Sequence, residues 1–270
     1  MKKVILISLV FSIIVFSCQI DQSKKKTADQ LYKIETMYGD MIFKLYDETP
    51  LHKENFMKLI EEGYFDDLLF HRVIDGFMIQ GGDPKSRDAE PGKMLGEGGP
   101  GYTIPAEFVE GIFHKKGVIA AAREGDNVNP EMRSAGSQFY IVQGNVLTDE
   151  DVKKVEDRIN ASRLNKLITK FVDEAKNEAY NTGGNIDYQI ILPEARKKAE
   201  EEFKQGGYYK IPEDKLKVYQ TIGGTPHLDN AYTVFGEVIE GLEIIDKIAA
   251  AETDNNDRPV SDIKMKIKKI

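Results

Sequence analysis

The 270-residue sequence contains very little cysteine and histidine and no tryptophan, and basic residues are fewer than acidic ones. Its single cysteine, Cys18, excludes an internal disulfide and a cysteine-rich metal cluster. The four histidines do not show the spacing of a motif such as H-E-x-x-H, so we expect no metal site. With 45 acidic and 37 basic residues, the chain lacks the basic composition that binding to phosphate backbones requires. This excludes nucleic acid as a main partner.

The first 30 residues have the layout of an export signal. Two lysines precede an apolar run at 4–16, which is shorter than the ~20 residues of a membrane-spanning helix. A serine and Cys18 follow, and the pattern resembles a bacterial lipoprotein signal in which 1–17 are removed and Cys18 carries the lipid. The alternatives are an ordinary signal peptide with an incidental cysteine, or an uncleaved anchor. The polar residues 18–30 predict a flexible tether.

Beyond the tether, the hydrophobic period separates a β-rich part from a helical one. Apolar and polar residues alternate around Gly39, which predicts a β-hairpin. Further short apolar runs predict strands within 31–145 and 221–270, one of them at 68–74. Two short helices are expected in this part, over 49–63 and 241–251. The β-rich part is therefore interrupted in the middle of the chain.

The interruption, residues 146–220, carries apolar residues at helical spacing and is predicted to be a helical insertion. A first helix should begin after Thr148, a second at Pro193 and a third at Pro212. The apolar stripe of these helices either packs on itself or on the β-rich part, or forms an arm that binds partner or client polypeptides.

Four blocks carry the residues with potential chemistry: FHRVIDGFMIQGGD at 70–83, GYTIPAEF at 101–108, GVIAAAR at 117–123 with GSQFYI at 136–141, and TPHLDNAYTVFG at 225–236. Residues at even spacing in an extended chain share a face, so Arg72, Met78 and Gln80 should point to one side. In this order the blocks closely resemble the cyclophilins, the β-barrel peptidyl-prolyl isomerases. The resemblance covers 31–145 and 221–270.

The resemblance implies a mainly β fold, a closed eight-stranded antiparallel barrel capped by two helices, into which 146–220 are inserted. It implies that Arg72 is the catalytic arginine. Four side chains would line the pocket for the substrate proline: Phe77, Met78, Tyr140 and Leu228. Gln80 and Gln138 would hydrogen-bond the substrate backbone or support Arg72.

The remaining implied site residues lie around this pocket. Ala122 and Arg123 would form the groove for the residue before proline, and His227 and Tyr232 would stand at the rim. Arg123 replaces an asparagine that is common in the family, and an arginine there predicts a preference for acidic substrates. Tyr140 replaces a phenylalanine, so its hydroxyl needs a partner or water.

Rotation about an X-Pro bond needs neither a nucleophile nor a cofactor, since the task is to hold the proline and favour the twisted amide. We therefore expect a peptidyl-prolyl cis-trans isomerase without cofactor, acting on proline-containing polypeptides. It would be a monomer in the bacterial cell envelope, held to the membrane by the lipid on Cys18 and facing the periplasm or the surface. Two alternatives remain open: a module that binds proline peptides without catalysis, and a chaperone whose helical insertion binds clients.

Overall fold

The structure is a computed structural model that describes residues 30–270. The predicted signal peptide (1–17), the lipidation of Cys18 and the tether (18–30) except its last residue lie outside the described residues. The strands are β1 (Leu31–Thr36), β2 (Gly39–Leu45), β3 (Leu68–Leu69), β4 (Arg72–Ile74), β5 (Met78–Gly81), β6 (Thr103–Ile104), β7 (Val118–Ala121), β8 (Ser134–Ala135), β9 (Phe139–Val142), β10 (Val234–Glu240) and β11 (Lys264–Lys269). The helices are α1 (Pro50–Glu61), α2 (Asp149–Thr182), α3 (Tyr188–Gly206), α4 (Glu213–Tyr219) and α5 (Leu242–Ala249). None of these helices is long and apolar enough to cross a membrane.

The predicted hairpin is confirmed as β1 and β2, whose register pairs Thr36 with Gly39. Gly39 has φ of 127°, and a Cβ at this position would lie 2.6 Å from Cδ1 of Ile244 in α5. Glycine is needed for both reasons, because other residues rarely adopt this φ and because α5 packs closely on β2.

Nine strands form one antiparallel, strongly curled sheet in the order β3-β11-β1-β2-β10-β7-β9-β5-β4. The mainly β architecture is as implied, but the barrel is not closed by hydrogen bonds and the sheet has nine strands rather than eight. The reason lies in residues 68–74, which the sequence predicted as one strand. Phe70 and His71 interrupt it, so that β3 pairs with β11 whereas β4 pairs with β5. The chain itself therefore joins the two edges of the sheet.

The main core lies on the concave side of the sheet, where α1 and α5 cover it. Phe56 of α1 stands at its centre, with ring centroids 4.8 Å from Phe65, 5.1 Å from Phe235 and 5.2 Å from Phe139. From α5, Ile245 is fully buried in the same cluster. The two predicted capping helices are thus confirmed.

The middle of the chain forms α2, α3 and α4, and α2 packs along α3. Thr148 caps α2 as predicted, and Asp151 completes a capping box. The predicted start of the second helix was wrong, because α3 begins at Tyr188 and encloses Pro193. Asp187 supplies the cap, since its carboxylate accepts a hydrogen bond of 2.9 Å from the backbone N–H of Gln189.

Buried polar side chains hold α2 against the chain that precedes α4. Glu156 accepts a hydrogen bond of 3.0 Å from the backbone N–H of Ile211. One turn later, Asn160 accepts from the backbone N–H of Tyr209 at 2.8 Å and donates to its carbonyl at 3.0 Å. The helix also contacts the short turn Pro226–Leu228, which belongs to the site described next.

Candidate active site

Strands β5 and β9 send alternate side chains to opposite faces of the sheet. Ile79 and Ile141 enter the main core, whereas Met78, Tyr140 and Leu228 belong to a second apolar cluster on the other face. A cleft of about 570 Å³ lies on this second face. Ten of the residues that the resemblance implied line it: Arg72, Phe77, Met78, Gln80, Ala122, Arg123, Tyr140, His227, Leu228 and Tyr232.

Arg72 and Gln80 stand directly opposite each other on β4 and β5. Cross-strand partners share a face, and both side chains line the cleft as the even spacing predicted. The guanidinium of Arg72 pairs with Asp257, with 3.3 Å between Nε and Oδ2, and the two side chains are 41% and 43% exposed. This exposed pair orients Arg72 without burying it, so its donors remain accessible from the cleft.

Gln138 is the one implied residue that does not line the cleft. Its side-chain amide donates to the carbonyls of Gly96 and Gly98, both at 2.8 Å, and its oxygen accepts from Nε2 of Gln80 at 3.1 Å. Gln138 is 6% exposed and lies beneath Gln80. Both of its donors are used, so it positions Gln80 and the loop that carries Gly96 rather than offering a donor to a substrate.

The apolar part of the cleft is built from stacked rings and one thioether. Phe77 stacks on His227 with ring centroids 5.6 Å apart, and Tyr140 meets Tyr232 edge-on at 5.9 Å. Met78 is 2% exposed and lies beside them in the second apolar cluster. Such a pocket suits a small apolar ring such as that of proline, because it removes apolar surface from water.

The hydroxyl of Tyr140 has a protein partner. Its Oη lies 3.0 Å from Nε2 of His114, whose Nδ1 lies 3.0 Å from Oδ1 of Asp229. Burial raises the pKa of Tyr140 well above its usual range, so the hydroxyl stays protonated and can donate a hydrogen bond. The other carboxylate oxygen of Asp229 accepts a hydrogen bond of 2.8 Å from the hydroxyl of Tyr219. A buried chain of four polar side chains thus connects the pocket floor to the end of α4.

Arg123 does not present a free charge to the cleft. It donates to the carbonyl of Ala231 at 2.7 Å and of Glu124 at 2.8 Å, and to Oδ1 of Asp126 at 2.7 Å. Its carbon Cζ also lies 4.7 Å from the ring centroid of Tyr232, and its side chain is 5% exposed. Because its side chain is buried against Tyr232 and three of its five donors are taken, Arg123 is a wall of the groove. The structure therefore does not support the expected role of Arg123 in selecting acidic substrates.

Sequence reasoning missed three contributions to the cleft: His71, the loop residues 94–97 and Arg158 of α2. The loop belongs to a glycine-rich stretch without hydrophobic period, and Arg158 follows the pattern of a solvated helix face. Burial lowers the pKa of His71 to about 4. Burial, together with the nearby guanidinium of Arg158, lowers the pKa of His227 to about 4 as well. Both imidazoles are therefore neutral at pH 7.

Within residues 30–270 no group of three His, Cys, Asp or Glu side chains could hold a metal ion. The cleft is instead open and partly apolar, and it carries exposed hydrogen-bond donors. A cleft of this kind on an antiparallel sheet can hold an extended peptide. The sequence of the chain matches the family model of the cyclophilin type peptidyl-prolyl cis-trans isomerase/CLD over residues 31–153 and 152–269. The chain belongs to this family of isomerases.

Individual relatives agree with the family model. The chain is 33% identical over 245 residues to a Staphylococcus haemolyticus protein named as a peptidyl-prolyl cis-trans isomerase, covering 90% of this chain and 92% of the relative. It is 30% identical over 233 residues to a Streptococcus pyogenes protein named as a bifunctional phosphatase/peptidyl-prolyl cis-trans isomerase, covering 85% of this chain and 36% of that longer protein.

Solved structures show the same fold. The crystal structure of a Cryptosporidium parvum cyclophilin type peptidyl-prolyl cis-trans isomerase has a TM-score of 0.51 at 20% identity, covering 90% of this chain and 98% of that one. A structure of this Cryptosporidium parvum isomerase in the presence of the dipeptide Ala-Pro also has a TM-score of 0.51, at 19% identity, and covers 89% of this chain and 99% of that one.

Proposed function

We propose that this isomerase accelerates X-Pro rotation in exported polypeptides, with Arg72 as its catalytic residue. The observation that carries the proposal is the position of Arg72 opposite Gln80, in one cleft with the apolar side chains of Phe77 and Met78. The Ala-Pro dipeptide used with the Cryptosporidium parvum relative is of the expected substrate class.

Amide resonance is the barrier that such an enzyme lowers. Rotation about a peptide bond costs ~18–20 kcal/mol, whereas the two X-Pro isomers differ by only about 0.5–1 kcal/mol. The pocket around Phe77 and Met78 holds the proline ring while the preceding carbonyl turns. Arg72 donates to the prolyl carbonyl oxygen and approaches the prolyl nitrogen, whose lone pair becomes localised as resonance is lost. These contacts are stronger in the twisted state than in either planar isomer, so they accelerate the reaction.

A prolyl-isomerisation assay on a short X-Pro peptide tests the role of Arg72. We expect Arg72→Ala to lose at least about tenfold in kcat/KM, which corresponds to about 1.4 kcal/mol. Arg72→Lys should recover part of the loss, since lysine keeps the charge but not the planar fork of donors. Lys264→Ala, which removes an exposed charge on β11, is the control.

Two outcomes contradict the proposal in different ways. Equal rates for the wild type and Arg72→Ala would remove Arg72 from the catalytic role. A wild type that binds Ala-Pro peptides without accelerating their isomerisation would be the non-catalytic binding module. Circular dichroism of each variant separates both results from a loss of folding.

We also propose that the protein is a lipid-anchored monomer of the cell envelope, and the support for this anchor is the pattern that ends at Cys18. Mass spectrometry of the membrane fraction should find a diacylated or triacylated cysteine, and Cys18→Ala should release the protein from the membrane. Because one acyl chain binds only marginally, several chains are needed for stable attachment. Membrane attachment that survives Cys18→Ala would contradict the lipoprotein assignment, and light scattering tests the monomer.

Client binding by the helical segment is the second candidate function. Large apolar side chains are exposed where α2 ends and α3 begins: Tyr180 (80%), Tyr188 (51%), Ile190 (59%) and Leu192 (43%). Exposed apolar groups of this kind bind unfolded chains. We retain the division into a β-rich part (31–145 and 221–270) and an insertion (146–220) as part of this proposal.

Suppression of client aggregation distinguishes this function from catalysis. The triple variant Tyr188→Ser, Ile190→Ser, Leu192→Ser should weaken suppression and leave the isomerisation of a short peptide unchanged. Met37→Ser, at an apolar side chain that is 74% exposed in the first hairpin, is the control. Full suppression by the triple variant would exclude the arm as the client-binding surface.

A further inference from the structure

The helical segment contributes one charged side chain to the cleft, that of Arg158. This residue lines the same cleft as Arg72 and His227. It also lines a neighbouring groove of about 610 Å³ between α2 and the loop that contains Asp126 and Asn127. The cleft therefore continues across Arg158 onto a surface that α2 builds, and a polypeptide bound in it can extend there.

Arg158 differs from the other two arginines of the cleft in having no acidic partner. Arg72 pairs with Asp257, and Arg123 pairs with Asp126. Within residues 30–270, no carboxylate forms an ion pair with the guanidinium of Arg158. No group in this part of the chain forms a hydrogen bond with it either. Among the three guanidinium groups of the described cleft, that of Arg158 is thus the one without a carboxylate partner.

The backbone that carries Arg158 is held in place from the opposite side. Glu156 and Asn160, two residues before and after it, are 4% and 3% exposed and bond to the chain before α4. A helix turns by about 100° per residue, so Arg158 faces away from these anchors and towards the cleft. A fixed backbone reduces the entropy lost when a substrate is bound.

The position of Arg158 also defines one end of the cleft. Its neighbour His227 stacks on Phe77, which precedes β5. At the other end, Gln80 and Gln138 support the loop at Gly96, next to the exposed carboxylate of Glu97. The end of the cleft away from Arg158 therefore carries an exposed carboxylate beside the Arg72–Asp257 pair.

We propose that Arg158 is a specificity residue that binds an acidic side chain of the substrate on the His227 side of the X-Pro bond. This inference rests on the proposed isomerase function and names its substrate class. Guanidinium and carboxylate form paired, charge-assisted hydrogen bonds, which explains why an acid would be selected over an amide. Glu97 disfavours an acid at the opposite end, so the preference should be confined to one flank of the proline.

Peptides that carry Glu or Gln at each of the three positions on either side of X-Pro test the proposal. For the wild type, we expect the ratio of kcat/KM between Glu and Gln peptides to reach about two to five at a position on one flank, as for an exposed ion pair. Arg158→Gln should bring this ratio to about one, and Arg158→Glu should invert it. High salt should lower the ratio, since about 1 M salt shortens the Debye length to about 3 Å.

Lys176→Gln is the matched control, because it removes one positive charge from the same helix about 27 Å away. It should leave the ratio and the activity unchanged. Uniform ratios for an active wild type, or a ratio that persists in Arg158→Gln, would overturn this inference alone. No activity of the wild type on the Gln peptides would overturn the proposed isomerase function, and this inference with it.

Discussion

The buried hydroxyl of Tyr219 allows a direct test of how the helical segment is joined to the β-rich part. Tyr219 is fully buried at the end of α4, and its hydroxyl donates to Oδ2 of Asp229 at 2.8 Å. Burial and the neighbouring carboxylate raise the pKa of Tyr219 far above its usual range, so the hydroxyl remains a donor. In Tyr219→Phe, Asp229 loses this donor, while the ring still packs 5.4 Å from Phe113.

Hydrogen bonds to charged groups contribute about 1.5–3 kcal/mol, and we expect Tyr219→Phe to lower the free energy of unfolding by about 2 kcal/mol. In a domain of 150–250 residues, this corresponds to a fall in Tm of roughly 4–8 °C. Urea unfolding followed by circular dichroism measures the first quantity, and scanning calorimetry the second. Tyr180→Phe, at a side chain that is 80% exposed, is the matched control and should change neither.

A loss below about 0.5 kcal/mol in Tyr219→Phe would refute this reasoning, because it would mean that Asp229 does not depend on the bond. A double-mutant cycle with Tyr140→Phe then tests whether the two ends of the network are coupled. The hydroxyl of Tyr140 bonds to His114 and that of Tyr219 bonds to Asp229, and these two partners bond to each other. We expect the double variant to differ from the sum of the single losses by at least about 0.5 kcal/mol.

Acidification should destabilise the protein between pH 6.5 and about 4. Burial lowers the pKa of His71 in the folded protein from 6.5 to about 4. As the pH falls, the unfolded chain therefore protonates His71 before the folded protein does, which favours unfolding. Urea unfolding at falling pH should show the loss, and His71→Gln should reduce it. Gly39→Ala should cost more than about 1 kcal/mol in thermal unfolding, since its φ is 127° and α5 leaves no room for a methyl group. Asp83→Asn should raise KM more than it lowers kcat, because the carboxylate accepts from the N–H of Gly96 at 2.6 Å and so holds the cleft loop.

The strands of the site could be predicted because a period of two has a simple physical cause. Once Ile79 and Ile141 are taken as core residues, Met78, Gln80 and Tyr140 must lie on the other face. Even spacing was therefore enough to place Arg72, Met78 and Gln80 on one face, whereas the resemblance to the cyclophilins implied the other seven predicted residues of the cleft.

Tertiary partners explain the features that the sequence could not show. The strand at 68–74 was predicted as one element, since nothing local indicates that its two halves pair with different strands. The early start of α3 depends on Asp187 as a cap, whereas Pro193 gave the stronger local signal. Gln138 has a side chain that is suited to contact a substrate backbone, but the carbonyls of Gly96 and Gly98 accept both of its hydrogen bonds. These carbonyls lie in a loop without a hydrophobic period, so nothing in the sequence indicated the contact.

The role of a charged residue is hard to predict from sequence for the same reason, because the effect of an arginine depends on the partner that the fold gives it. By position, Arg123 was the cation expected to select acidic substrates, yet it is buried and pairs with Asp126, three residues later in the chain. Arg158 had the pattern of a solvated helix residue, yet the fold brings it to the cleft, where no carboxylate of residues 30–270 pairs with it. Within residues 30–270, the guanidinium of the cleft that has no carboxylate partner therefore lies on α2 and not on the β-rich part. If that charge selects substrates, sequence changes within 146–220 should alter substrate preference while the pocket around Phe77 and Met78 remains unchanged.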